Sequence, residues 1–394
     1  MLVWYILLLK LLVIATIAAF IVYMSYAIHF LLEILRHATC TVKNFLSARS
    51  ITLKGHSGPI RCALWSRDNT RVITGSFDGM VCSWDSCTGK HTTIIENHPY
   101  PIQSIACHSN GSIIAASSHN CITYEKSTRL GHLINLLDYQ TEGPYTISCS
   151  PDENYIAIGT FTGLIYLWHR SSGHQLATLH GHSQGITAIT WSNDEKLLFS
   201  ASYDGSARIW NIATGETMRT LCDTYDNYFM ATVIPGSQAH VLEISYDQQH
   251  EMIATGSILG TVSFWNAQDG TILERCTDHT GSIQALAFNS NGTLLASAST
   301  DHTVRLWDTQ EKRCLHVLDN HVEGAHALAF SPNGTTVATA DGKGTIYIWD
   351  YATGKCIRSL QGHSDQINTL EFNGDGSRLL SSSHDCTARV WTIN

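Results

Sequence analysis

An all-β ring of stacked four-stranded sheets, preceded by one membrane-crossing helix, is the architecture these 394 residues spell out. Three observations carry that expectation. The first fifty residues are far more apolar than the rest. Tryptophan then recurs at steps of 42 residues or simple variants of it. The stretches between the tryptophans alternate apolar and polar side chains, as half-buried strands do.

From Leu11 to Leu32 there is no Asp, Glu, Lys or Arg. At about 1.5 Å per residue such a helix crosses a hydrocarbon core of roughly 30 Å. A cleavable signal peptide has a shorter apolar run ending in small residues. Here bulky Phe20, Ile21, Tyr23 and Tyr26 follow the small pair Ala18-Ala19. Residues 1–35 are therefore expected to form an uncleaved anchor helix and residues 36–49 a connector. Lys10 can snorkel to one interface, with Trp4 and Tyr5 in the same belt. Arg36, Lys43 and Arg49 against Glu33 on the other flank place the bulk of the chain on the cytoplasmic-type side. An organellar inner membrane satisfies the same pattern. Were the segment a cleaved signal, the rest would be secreted or luminal.

The period comes next. Trp84, Trp168, Trp210, Trp265, Trp307, Trp349 and Trp391 are separated by 84, 42, 55, 42, 42 and 42 residues. The first gap is two periods with Tyr124 near its middle, and the fourth-unit to fifth-unit gap is one period plus an insertion of 13. Residues 50–394 thus read as eight units. A histidine runs in phase, 28 residues before the tryptophan, at His56, His182, His279, His321 and His363. Asn291-Gly292, Asn333-Gly334 and Asp375-Gly376 supply the positive φ of tight hairpins. Four strands of about 4–6 residues fill each period. Such sheets cannot bury both faces alone and must stack around an axis. The last unit lacks an outermost strand, and residues 48–54 align with the outer strands of other units. They are expected to close the ring.

In-phase Gly-His, ending at His56, His182 and His363, with Trp-Asp at Trp84-Asp85, Trp307-Asp308 and Trp349-Asp350, resembles the WD40-repeat family over about residues 50–394. Trp-Asn at 210 and 265, Trp-His at 168, Trp-Thr at 391 and Tyr-Glu at 124 depart from its pattern. The resemblance implies an eight-bladed WD40 β-propeller closed by an N-terminal strand. It also implies buried clusters with a strand Ser or Thr: His56, Asp78 and Trp84; His182, Asp204 and Trp210; His279, Asp301 and Trp307; His363, Asp385 and Trp391. Their recurrence gives them a structural role, since a buried imidazole needs a partner and a carboxylate is one. The second, third, fifth and seventh units lack that Asp and are expected to be less rigid.

Composition excludes several functions. Twenty-four basic against 33 acidic residues give a net charge of −9, which argues against nucleic acid as a partner. No CxxC pair occurs, so zinc-ribbon and thioredoxin-like chemistry is excluded. His250-Glu251 has Ala254 where a second zinc-binding histidine would stand. Ser257 is misplaced for a nucleophile elbow, and Cys107-His108 and His384-Asp385-Cys386 occupy recurring strand or turn positions. The expectation is no enzyme, no cofactor, no metal and no small-molecule substrate. Asn110, Asn291 and Asn333 head glycosylation sequons, but all three sit in the same hairpin turn, where Asn-Gly serves the backbone.

The functional lead is a rim. The residue seven before each tryptophan should lie beside the central channel. There stand Phe77, Phe161 and Tyr203, with Ser117, Ile258, Thr300, Gly342 and His384 in the other units. By analogy with the family, the insertion within 223–239 reaches the same face and brings Tyr225, Tyr228, Phe229 and Met230. Exposed aromatics and methionine suit protein-binding hot spots. The expected function is a membrane-anchored protein-interaction scaffold, an accessory subunit of a larger assembly. The alternatives are a substrate receptor or a trafficking regulator of the same family.

Overall fold

The structure, a computed structural model, describes residues 49–393 apart from 96–97, 99, 108–112, 118–120, 127–132, 140–142, 153, 170–173 and 223–240. The expected anchor at 1–35 and all but the last residue of the connector lie outside the described residues. Among the described residues no helix is long and apolar enough to cross a membrane.

The described strands form eight four-stranded antiparallel sheets. Seven consist of consecutive strands, spanning 60–95, 102–139, 144–179, 186–222, 241–276, 283–318 and 325–361; they are sheets 1 to 7. Sheet 8 runs from 367 to 392 and takes its outermost strand from Ser50–Lys54. The innermost strand of each sheet packs on that of the next, and sheet 8 returns to sheet 1. Each junction carries its own apolar cluster. The two middle strands of a sheet are buried on both faces, as in Val72–Ser76 and Val81–Trp84, while outer strands such as Arg313–Leu318 alternate. Middle strands therefore read as unbroken runs of apolar and small residues.

The hairpin joining the first two strands turns on one left-handed residue. Gly292 and Gly334 (φ 66°) and Gly376 (φ 72°) fill that place, and Asn69 (φ 56°) and Glu195 (φ 61°) take it where glycine is missing. Asn291 and Asn333 accept the hydroxyls of Thr293 and Thr335 inside this turn, at 2.7 and 2.8 Å, so their amides are used by the fold.

Four sheets contain a complete buried relay. In sheet 4, Trp210 Nε1–H donates to Ser200 Oγ at 2.8 Å, Ser200 Oγ meets His182 Nε2 at 2.8 Å, and His182 Nδ1 meets Asp204 at 2.8 Å. The indole nitrogen can only donate. The hydroxyl must then accept from it and give its own proton to Nε2, so the imidazole proton sits on Nδ1 and points at the carboxylate. The same chain runs through Trp84, Thr74, His56 and Asp78, through Trp307, Ser297, His279 and Asp301, and through Trp391, Ser381, His363 and Asp385. Burial lowers the basicity of all four imidazoles and outweighs the neighbouring aspartate. Burial alone would raise the aspartates, but donors from the imidazole, a hydroxyl or the backbone hold them well below the usual carboxylate range. The Gly-His glycine is a matter of room: a Cβ on Gly181 would lie 2.7 Å from the Arg208 guanidinium, and one on Gly362 2.6 Å from that of Arg389.

The incomplete sheets differ from one another. Sheet 3 has Ile158 in place of the hydroxyl, and the buried Trp168 indole N–H is left without a partner. In sheet 5 Trp265 donates to Thr255 at 2.9 Å, and Leu259 stands at the aspartate position. Sheet 7 keeps His321 on Thr339 at 2.7 Å and Trp349 on Thr339 at 2.8 Å, but Lys343 fills the aspartate position and His321 Nδ1 is unpartnered. Its carboxylate has moved two residues earlier. Fully buried Asp341 accepts the N–H groups of Val322, Lys343 and Thr345 at 3.3, 3.0 and 2.9 Å. The aspartate of a complete sheet takes two of the equivalent groups, as Asp78 does from Ser57 and Met80. Sheet 7 thus keeps its backbone anchor and loses only the link to histidine. The expectation of a loosened seventh unit is corrected to that extent.

Closure joins residues some 340 positions apart in register, from Ser50 opposite Trp391 to Lys54 opposite Thr387. Leu53 is fully buried between sheets 1 and 8. Sheet 8 also grips sheet 1 directly. Trp65 donates its backbone N–H to the Glu371 carboxyl at 3.0 Å and its indole N–H to the Glu371 carbonyl at 3.1 Å. Arg378 stacks over the Trp65 ring at 5.0 Å and donates to the Asn69 carbonyl at 3.0 Å. Burial pushes the Glu371 carboxyl up to about 7, against the pull of the Trp65 N–H.

Three outcomes follow from this geometry. In sheet 7, Asp341→Ser strips three backbone donors and should cost about 2–3 kcal/mol; adding Lys343→Asp rebuilds the aspartate of a complete relay and should recover most of it. Denaturant midpoints of both variants decide this, and a double variant no better than the single one refutes the exchange. Glu371 has a folded value above its unfolded one, so its contribution is full below about 4.5 and is lost as pH rises through about 7. Glu371→Gln should therefore raise the melting midpoint at pH 8 more than at pH 5. Finally, a chain starting at Ala48 should melt like the full sheet array, whereas one starting at Gly55 should lose about 3 kcal/mol with the buried Leu53 and its ladder. Equal midpoints for the two truncations would exclude a stabilising role for the closing strand.

Candidate functional site

The relays position the rim. Each aspartate directly follows a rim residue, and it caps the turn on which that residue stands. The rim backbone is also tied to the start of the innermost strand: the N–H of Phe77 to Pro59 at 2.9 Å, of Phe161 to Gly143 at 3.0 Å, of Tyr203 to Gly185 at 2.9 Å and of His384 to Gln366 at 2.9 Å. Rim side chains therefore stand at the mouth of the channel that the innermost strands enclose.

That mouth has two halves. Phe77, Phe161 and Ile258 are 40, 38 and 39% exposed. Tyr203 is half-buried and belongs with Phe161, although the two are on different sheets. Tyr145 joins them: its ring lies 4.8 Å from Phe161 and 6.3 Å from Tyr203, with the two hydroxyls 3.4 Å apart. Burial and the Tyr145 hydroxyl both push the Tyr203 phenol upward. Over sheets 6 to 8 the rim is polar. There Thr300, Gly342 and His384 stand near the ion pair of Lys343 with Glu323 at 2.6 Å. The Ser117 side chain and the insertion residues Tyr225, Tyr228, Phe229 and Met230 lie outside the described residues.

Below the mouth lies a cavity of about 300 Å³. Tyr145 and Tyr203 form its upper wall, and Arg61, Thr187, Glu243 and Gln284 line it further in. Rim spacing does not reveal Tyr145, Arg61 or Glu243. A different signal does: Arg61 and Tyr145 hold the second place of their innermost strands and Glu243 the third, and aligning those places around the ring singles out an arginine, a tyrosine and a glutamate.

Candidate chemistry elsewhere is spoken for. Asp385, inside His384-Asp385-Cys386, belongs to the His363 relay. His250 Nδ1 meets Asp247 at 2.6 Å within its own turn. Burial pushes the Cys62 and Cys276 thiols up to about 12, far from a nucleophilic thiolate. Among the described residues no group of three or more His, Cys, Asp or Glu could hold a metal ion.

The family model of the WD domain, G-beta repeat, matches residues 48–85, 89–124, 173–211, 270–308, 312–350 and 354–392. Over 100 residues the chain is 30% identical to guanine nucleotide-binding protein subunit beta of Saccharomyces cerevisiae, covering 25% of this chain and 24% of that protein. Over 41 residues it is 42% identical to Cilia- and flagella-associated protein 57 of Mus musculus, covering 10% of this chain and 3% of that protein. The chain therefore matches about a quarter or less of these relatives' lengths. The crystal structure of the computationally designed Ika8 protein superposes with a TM-score of 0.74, over 87% of this chain and 98% of that one, at 24% identity. That likeness concerns the fold alone. The six family matches cover more than half of the residues, and five of them contain an indole bonded to a strand hydroxyl, at Trp84, Trp210, Trp307, Trp349 and Trp391. The chain belongs to the WD40-repeat family and is a β-propeller.

Proposed function

We propose that this chain is a membrane-anchored interaction scaffold, an accessory subunit of a larger protein assembly, and that partners dock on the aromatic half of the channel mouth. The eight sheets act as eight blades of one ring, closed by Ser50–Lys54. The observation that carries the docking reading is the group of Phe161, Tyr145 and Tyr203, with Phe77 two sheets away. Phe77 and Tyr203 stand on turns capped by relay aspartates, and Phe161 stands on a turn tied through its backbone to Gly143, so aromatic faces are presented to solvent on anchored turns. Rigid aromatic anchors contribute contact area at little entropic cost, which is how hot spots bind. The polar half of the mouth supplies the hydrogen-bonding remainder of such an interface. WD40 propellers in general bind other proteins. The uncharged run from Leu11 to Leu32 supports the anchor, and the flanking basic residues support a cytoplasmic-type location for the propeller. The acidic net charge argues against nucleic acid as the partner.

Phe161→Ala combined with Tyr203→Ala should reduce co-purification of companion proteins from native membranes by about tenfold or more, while the melting midpoint moves little. Native mass analysis of the detergent-extracted chain supplies the reference particle. A particle no larger than one chain plus detergent would remove the assembly reading, and unchanged companions in the double variant would remove the rim.

A further inference from the structure

The cavity beneath the rim is lined by a guanidinium and a carboxyl that do not meet. Arg61 enters from sheet 1 and Glu243 from sheet 5, which stand across the ring from each other. The guanidinium pulls the Glu243 carboxyl downward. Among the described residues, however, neither the guanidinium nor the carboxyl has a hydrogen-bond partner, and they form no ion pair with each other. Glu243 is out of keeping with its place. The equivalent residue on other innermost strands is small: Cys62, Ser104, Thr146, Ala188, Ala285 and Ala327. Those positions follow a β-bulge, and Val241/Glu243 carries the same bulge. Counterparts such as Cys62, Ala188, Ala285 and Ala327 pack into the apolar clusters between sheets, where a carboxyl is out of place. Burial pushes the Glu243 carboxyl up to about 8, opposed only by Arg61. A carboxyl raised this way and lining a cavity is a candidate for a binding site.

We propose that the channel of this propeller is a binding site for a small zwitterion of the amino-acid type, its carboxylate on Arg61 and its ammonium on Glu243. The volume of about 300 Å³ lies at the small end of ligand pockets. Guanidinium presents a fork that matches a carboxylate, and an ammonium against the Glu243 carboxyl restores its ionised form. The Tyr203 hydroxyl, Thr187 and Gln284 form a polar wall around the pair. A simple anion would pair with Arg61 and offer Glu243 no counter-charge; a simple cation would do the reverse. A molecule carrying both charges pairs with both groups.

The test is titration calorimetry on the full chain in detergent with alanine, β-alanine and γ-aminobutyrate. Propionate and ethylamine serve as matched probes, each carrying one of the two charges. At least one of the three zwitterions should bind, and both one-charge probes should bind about tenfold or more weakly in comparison. Arg61→Gln and Glu243→Gln should each weaken zwitterion binding by about tenfold or more. Glu243→Ser, which installs the kind of residue found on other sheets, should do the same with the melting midpoint kept or raised. Absence of binding by all three zwitterions overturns the proposal. So does equal binding of propionate or ethylamine, or undiminished binding by the Arg61 or Glu243 variants.

Discussion

The buried contact between an indole N–H and a strand hydroxyl organises this molecule. It is local to one sheet, spanning ten residues in sequence, and it fixes everything further out. Because the indole can only donate, the hydroxyl must pass its proton to the imidazole, and the imidazole must face the aspartate. The aspartate then caps a turn at the channel mouth. A directional choice made in a dry interior thus sets the position of a solvent-exposed residue. Isolated buried polar groups weaken a fold, whereas fully satisfied chains of them make it specific. Sheet 3 shows the contrast, since one apolar substitution at Ile158 leaves its indole without an acceptor.

Ring geometry adds a second constraint that no single sheet can meet. Each sheet buries its faces only against two neighbours, so the first and last must find each other. The junction of sheets 1 and 8 is accordingly cross-linked in several ways. It combines a strand ladder, a buried leucine, two hydrogen bonds from Trp65 to Glu371 and a stacked arginine. A sheet edge that would otherwise stay open to foreign strands is thereby paired.

Much of this was legible in the sequence because it repeats. A period of 42 brings equivalent residues into register, so the complete relays, the hairpin turns and the closing strand could all be placed by counting. What counting missed are the exceptions to the period. Asp341 lies two residues from the expected place and still does the backbone part of the work, which only geometry shows. Tyr145 lies on an innermost strand, packs on Phe161 of its own sheet and reaches Tyr203 on the next. Glu243 looks like any polar strand residue until its seven counterparts are aligned around the channel. Function at such sites resides in departures from the repeat, where one residue breaks the pattern that stability imposes on the others.

The pairing of Ser50–Lys54 with the final strand also bears on synthesis. Sheet 8 cannot be completed until Thr387–Thr392 leaves the ribosome. Until then the growing chain carries an exposed strand early in its length and an unfilled edge late in it. Sheets 1 to 7 are built from consecutive strands and can form as they emerge. The final step spans almost the whole propeller, so its loop entropy makes it the slowest contact to form. During that interval any other β-edge in the cell competes for the same strand, and a chaperone that shields Ser50–Lys54 would find its target there.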